Sequence, residues 1–426
     1  MTRRSSCFLP VVTVVTVVVW LSRPALAQEP LKTVALDQVI QLALAHNTDS
    51  RSADEDVTSA GGALVQSRLF SNPSLFVSSL ARGVSPFMGP VPTQYGATWT
   101  IPIGGKRAAG IDAAHALVVA ARATRIAARR QVELSVEKAF VAVLLDQAQL
   151  EFARQDEKGI HDSLALNELR YKDGKIPYSD VLKLRLQVRT VEDTVRQVEL
   201  QLANDRLELA RLVGEGTLAP AYEVTGALVP PTLAAPPIPE DLLARALKNR
   251  TDYQALLADE QNLEALASQA RRQPIPDLGV LVDYDRAPGE PSQYDVILTM
   301  AIPILDRNQG NITQAEAAAR KAKLATEALR LQIREDVLQA VNGWNTTHAR
   351  LTAYDADILS TAKESLDITS HAYEQGRGSL LDYLDAEASY RDVERSYRSV
   401  VADAVNAAAT LRFVTGEDLF CDRRDR

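Results

Sequence analysis

The side chains best equipped for chemistry in this sequence are few and widely spaced. Five histidines, His46, His115, His161, His348 and His371, include no pair at i, i+4 and no HExxH string. That is the spacing that sets two imidazoles on one helical face around a metal. The two cysteines, Cys7 and Cys421, offer no thiolate cluster. Gly104-Gly105-Lys106 suggests a phosphate loop, but position 100 is threonine where that loop needs glycine, and no Ser or Thr follows the lysine. No serine lies in a nucleophile elbow, and no carboxylate pair lies in a glycine-bounded loop. Asp382 and Asp385, three residues apart on a helical stretch, read on spacing alone as a solvated face. The expectation is a protein without catalytic residues, cofactor or metal site, hence not an enzyme.

The ends say where such a chain goes. Arg3 and Arg4 precede an apolar stretch from Phe8 to Leu21, and Ala25-Leu26-Ala27 follows. This reads as a signal peptide over residues 1–27, cleaved after Ala27, because about 14 apolar residues fall short of the roughly 20 of a membrane helix. Cys7 lies inside the signal, so no lipid is expected on the mature N-terminus at Gln28. Residues 1–27 carry three arginines and no acid, so 44 basic against 55 acidic residues leave the mature chain at −11. Nucleic acid is a poor partner for such a surface.

The elements that must position any function come in two copies. Ile101-Pro102-Ile103 returns as Ile302-Pro303-Ile304, Tyr171-Lys-Asp-Gly174 as Tyr373-Glu-Gln-Gly376, and Val213-Gly214-Glu215 is echoed by Thr415-Gly416-Glu417. The offset of 201 to 203 residues marks a tandem duplication. The first repeat occupies residues 28–229, a Pro-rich linker 230–239, the second repeat 240–416 and a tail 417–426. Each copy opens on a helical segment, Leu36–Phe70 or Glu240–Arg271, then switches to period two in a β hairpin, 74–103 or 277–304. Tyr95, Ala97, Trp99 and Ile101 share one face, as do Leu278, Val280, Val282 and Tyr284, and as do Tyr294, Val296, Leu298, Met300 and Ile302. Long helical hairpins follow over 106–213 and 309–414, their first arms proline-free and on the order of 100 Å long. Four strands cannot close a barrel, so strands in a membrane would oblige several chains to close one together. On the strands alone a small soluble sheet is the competing reading, and on the helices alone a soluble bundle or a periplasmic coiled-coil adaptor or scaffold.

The organisation resembles the TolC family of outer-membrane efflux and secretion channels over essentially the whole mature chain. The segment from Ile101 to Arg107 is similar to the heavy-metal, cobalt-zinc-cadmium branch. The resemblance implies an α+β membrane protein, a homotrimer whose chains each lend four strands to one 12-stranded transmembrane β-barrel and helical arms to a periplasmic α-barrel. It implies a passive conduit in the outer membrane of a Gram-negative bacterium, embedded in its lipid, with a periplasmic adaptor and an inner-membrane pump of the RND type as partners. Heavy-metal cations are the expected cargo, with a multidrug or type I secretion duct as the alternative. The hairpin turns then become adaptor-docking tips, Gly174, Lys175 and Ile176 in one copy and Gly376, Gly378 and Ser379 in the other. Asp382 and Asp385 match an acidic ring at the channel entrance, and Tyr373 and Asp180 match positions whose inter-helix hydrogen bonds hold it closed. Gly378 stands where the family often has arginine, and the adjacent Arg377 is the candidate substitute.

Overall fold

In the computed structural model of this chain the described residues are 31–78, 94–214, 216–229, 232, 238–286, 291–417 and 419. The signal segment, the loop from Gly83 to Thr93, most of the Pro-rich linker and Cys421 lie outside them.

An Ala-rich, proline-free run has nothing to stop a helix until a residue with positive φ arrives. The first copy accordingly runs β1 (Leu31–Ala35), α1 (Leu36–His46), α2 (Thr48–Arg68), β2 (Ser74–Ser78), β3 (Gln94–Ile101), α3 (Lys106–Lys172), α4 (Tyr178–Val213) and β4 (Leu218–Thr225). The second runs α5 (Pro239–Asn249), α6 (Thr251–Arg272), β5 (Leu278–Asp285), β6 (Gln293–Met300), α7 (Gln309–Ala353), a π turn (Tyr354–Ile358), α8 (Leu359–Glu374) and α9 (Leu380–Thr415). The 67 residues of α3 extend about 100 Å. Gly105 and Asn308 occupy equivalent places at the starts of α3 and α7, both left-handed at φ 75° and 60°. Asparagine is among the few side chains that tolerate that region.

Three features depart from the sequence reading. The opening helix of each copy is broken, at Asn47 and at Arg250. Asn47 caps α2 by accepting from the amides of Asp49 (2.8 Å) and Ser50 (3.3 Å), while its own amide donates to the Leu212 carbonyl at 2.8 Å. Buried Arg250 pairs with Asp252 and Asp336, each at 2.7 Å. The second long arm is interrupted by the π turn, where one extra residue is accommodated within the helix. Finally, β1 and β4 form a separate two-stranded parallel sheet with no counterpart in the expectation.

That small sheet seals the largest core. Val34, Val39, Val136, Phe140, Val143, Leu209, Val213 and Tyr222 pack together there, and the Tyr222 hydroxyl donates to the Arg206 carbonyl at 2.8 Å. The matching core of the second copy surrounds Trp344, with Leu242, Ile333, Val337, Leu411 and Val414.

One carboxyl in the arm of the first copy is misplaced for neutral pH. Asp146 on α3 is buried, and burial together with Asp205 on α4 pushes it from 3.8 to about 7. Between those values the unfolded chain is ionised and the folded chain holds a proton, so this group's contribution to stability falls as pH rises to about 7 and is flat above. Asp146→Asn is therefore expected to raise the unfolding temperature at pH 8 and leave it unchanged at pH 4. An equal temperature rise at both pH values would show that proton affinity is not the cause.

Candidate functional site

The sheet β2-β3-β5-β6 is antiparallel throughout, with β2 and β6 as its unpaired edges. Directly opposite residues of such a ladder share a face. The register therefore merges the separate strand patterns into one apolar surface. Its rows are Leu75, Ala97, Val282 and Val296; Val77, Tyr95, Tyr284 and Tyr294; Trp99, Val280 and Leu298; and Ile101, Leu278 and Met300. Leu75 is 83% exposed and Val296 68%, which in water would be an aggregation surface.

Aromatic side chains flank this surface at both ends. Tyr95, Tyr284 and Tyr294 align in the row nearest the loops, the last two with ring centroids 5.1 Å apart. Toward the helices, Trp99 meets Phe70 edge-on at 6.4 Å and donates its indole N–H to the Ser71 carbonyl at 2.8 Å. Arg107 lies 4.4 Å over the Phe70 ring, and Lys106 pairs with Asp277 at 2.8 Å. Such belts suit a membrane–water boundary.

The opposite face is mixed: Gln94, Thr98, Thr100, Asp283, Asp285, Asp295 and Thr299 lie on it in register, together with Phe76, Leu281 and Ile297. Gly96 is needed there, because a Cβ would collide with the Phe76 ring. Among the described residues no helix is long and apolar enough to cross a membrane.

At the far end of the arms, the α3–α4 and α8–α9 turns meet. Gly174 and Gly376 adopt φ of 74° and 69°, closing each turn after the last helical residue. The Tyr373 hydroxyl bonds to Asn167 Oδ1 at 2.5 Å, and the Arg170 guanidinium reaches the Glu374 carbonyl at 3.3 Å and lies 5.6 Å over the Tyr373 ring. Burial pushes the Tyr373 phenol above its ordinary range, with Arg170 opposing the shift and Asp180 adding to it. The inter-helix bond of Tyr373 thus goes to Asn167. Asp180 instead faces Lys183 on its own helix at 3.6 Å. Arg377 forms no side-chain hydrogen bond or ion pair among the described residues, and its amide donates to the Ala372 carbonyl at 2.9 Å. Gly378 packs so closely on the backbone of Ala372 and Tyr373 that a Cβ would come within 3.2 Å.

The remaining tip residues, Ile176 apart, are solvent-facing. Asp382 and Asp385 are both exposed on α9, and Ser379 caps that helix by accepting from the Asp382 amide at 3.1 Å. Lys175 reaches Asp173 at 3.2 Å, and Ile176 is half-buried.

Above the tip lies a polar network that the sequence reading did not single out. Arg391 of α9 forms an ion pair with Asp156 of α3 at 3.1 Å, and both side chains are nearly buried. Gln187 of α4, its amide oxygen assigned toward Arg391, accepts from the guanidinium at 2.6 and 3.2 Å. Burial pushes both the Asp156 and the Glu387 carboxyls up, against the pull of Arg391. Tyr383 donates to Glu387 at 3.4 Å and stacks on Tyr373 at 5.5 Å. The network therefore runs continuously into the tip contact and joins the two copies.

The outer membrane efflux protein family matches twice, over residues 39–215 and 242–417, one match in each copy. The cobalt-zinc-cadmium resistance protein CzcC of Cupriavidus metallidurans is 27% identical over 395 residues, covering 92% of both chains. The Campylobacter jejuni CmeC outer membrane channel superposes with a TM-score of 0.77 at 15% identity, over 90% of this chain and 86% of that one. CusC, solved in a study of folding and transmembrane channel formation, gives a TM-score of 0.73 at 19% identity, over 90% and 92%.

Proposed function

Since the chain belongs to the outer membrane efflux protein family, we propose that it is the outer-membrane duct of a tripartite efflux system for divalent heavy-metal cations. It is an outer membrane efflux channel of the TolC type, a conduit and not an enzyme. The conduit works as a homotrimer. It receives cargo from an inner-membrane pump of the RND type through a periplasmic adaptor that docks on the tips around Gly174, Lys175, Ile176, Gly376, Gly378 and Ser379.

One observation carries the reading: a four-stranded sheet with one continuous apolar face and two open edges, set on helical arms about 100 Å long. In hydrocarbon each unpaired edge amide costs several kcal/mol, and three copies remove every edge by supplying twelve strands. The cargo assignment is supported by the similarity to CzcC along nearly its full length. Deleting the gene should raise sensitivity to zinc, cobalt and cadmium. Sensitivity to hydrophobic drugs alone would keep the duct and overturn the cargo.

At the entrance, three-fold symmetry gathers the exposed carboxylates of Asp382 and Asp385 into a ring of six. Tyr373, Asn167 and Arg170 hold the closed state. Asp382→Asn combined with Asp385→Asn is expected to relieve block by divalent cations in planar-bilayer recordings about tenfold or more, equivalent to at least ~1.4 kcal/mol of lost attraction. Unchanged block would place the ring elsewhere.

A further inference from the structure

The helical arm carries a set of donors that neither the channel reading nor the tip uses. Glu157 and His161 lie one turn apart on the same face of α3, and Glu192 faces them from α4. One ligand atom from each, two carboxylate oxygens and an imidazole nitrogen, all lie within 4.8 Å of one another. His161 Nε2 is 3.5 Å from Glu192 Oε1. The search for paired histidines in the sequence passes over this set, because the i, i+4 pair is glutamate and histidine and the third donor comes from the facing helix.

Two observations distinguish it from an exposed acidic patch. The donors sit on a rigid seat: Ile160 and Val191, adjacent in sequence to His161 and Glu192, are buried in one apolar cluster with Leu184, Val188 and Leu380. Glu192 is also oriented from outside. Its Oε2 is held by Arg189 at 2.7 Å and Arg196 at 3.7 Å, while Oε1 is turned to His161. Outer partners that fix the direction of a ligating carboxylate are a regular feature of metal centres. The same arginines cancel much of the local negative charge, which weakens attraction for any cation and favours ready release.

We propose that Glu157, His161 and Glu192 form a binding site for a divalent first-row transition cation on the periplasmic arm, bridging α3 and α4. One imidazole nitrogen with carboxylate oxygens suits zinc, cobalt or nickel over calcium or magnesium. Three protein donors leave coordination positions to water, the arrangement of an exchangeable site. The proposal stands independently of the identity of the exported cargo. A bound ion would tie the two arms of the first copy together about 20 Å above the tip turn, taking roughly 12–15 helical residues from His161 to Gly174.

The test uses the purified full-length protein in detergent, titrated with Co2+ alone and followed by its visible d–d absorption. Wild type should show a saturable band, at one equivalent per chain, that Zn2+ displaces and Mg2+ does not. His161→Ala and Glu157→Gln should each weaken it tenfold or more, whereas Glu199→Gln, at an exposed carboxylate further along α4 that pairs with Arg154, should leave it intact. A band equally strong in His161→Ala, or none in wild type, overturns the site. Metal sensitivity of a deletion strain answers the separate question of cargo.

Discussion

Val296→Arg is expected to abolish the assembled channel, while Asp295→Arg, one residue away, leaves it intact. Val296 lies mid-strand on the apolar face, in the row with Leu75, Ala97 and Val282. An arginine at the centre of the lipid-facing side of a barrel costs about 2–4 kcal/mol, and a three-chain barrel incurs it three times. Asp295 points to the other face, directly opposite Asp283, where an arginine meets a carboxylate in place of a like charge. Immunoblots of unheated outer-membrane samples should show an oligomer for Asp295→Arg and none for Val296→Arg. Normal assembly of Val296→Arg would mean that this face does not meet lipid. Failure of both would mean that the strand is buried on both sides.

The second large effect is expected at Arg391. Arg391→Leu strands the nearly buried Asp156 carboxylate beside the equally buried Glu387, both of which burial already pushes up. Removing one partner of a buried pair costs about 3–5 kcal/mol. Because the pair joins α3 of the first copy to α9 of the second, the loss should appear as faster chymotryptic cleavage of the arms. Adding Asp156→Asn to Arg391→Leu should recover most of the resistance, since a neutral amide has no charge to compensate. Equal resistance of wild type and Arg391→Leu would show that the ion pair does not secure the arms.

What could be read from the sequence follows from how locally each feature is encoded. The barrel strands were legible because apolar residues recur at every second position along β3, β5 and β6, and the arms because α3 runs 67 residues without proline. The parallel pair β1–β4 was not. Its partners, such as Val34 and Val224, are far apart in sequence, and β1 is only five residues long. The break at Asn47 left a faint trace, an asparagine ahead of Thr48-Asp49 in the manner of a helix cap, but Arg250 at the equivalent place in the second copy has no such signature. At the tip, Tyr373 could be singled out, whereas its partner Asn167 lies on another helix, 206 residues away. A polar residue seven positions after Ile160, on the buried stripe of α3, was the available hint. Arg391, Asp156 and Gln187 were passed over for the same reason, since charged and amide residues on long helices ordinarily face water.

The central claim is that separate chains close one barrel through their open edges. The most direct measurement is disulfide trapping between β2 and β6 in a Cys421→Ser background, with one cysteine at Phe76 and the other stepped along Gln293 to Met300 in turn. Intermolecular bonds are expected at alternate positions of β6, giving cross-linked species up to the mass of three chains and none larger. Cross-linking confined to single chains, or a ladder extending beyond three, would contradict it.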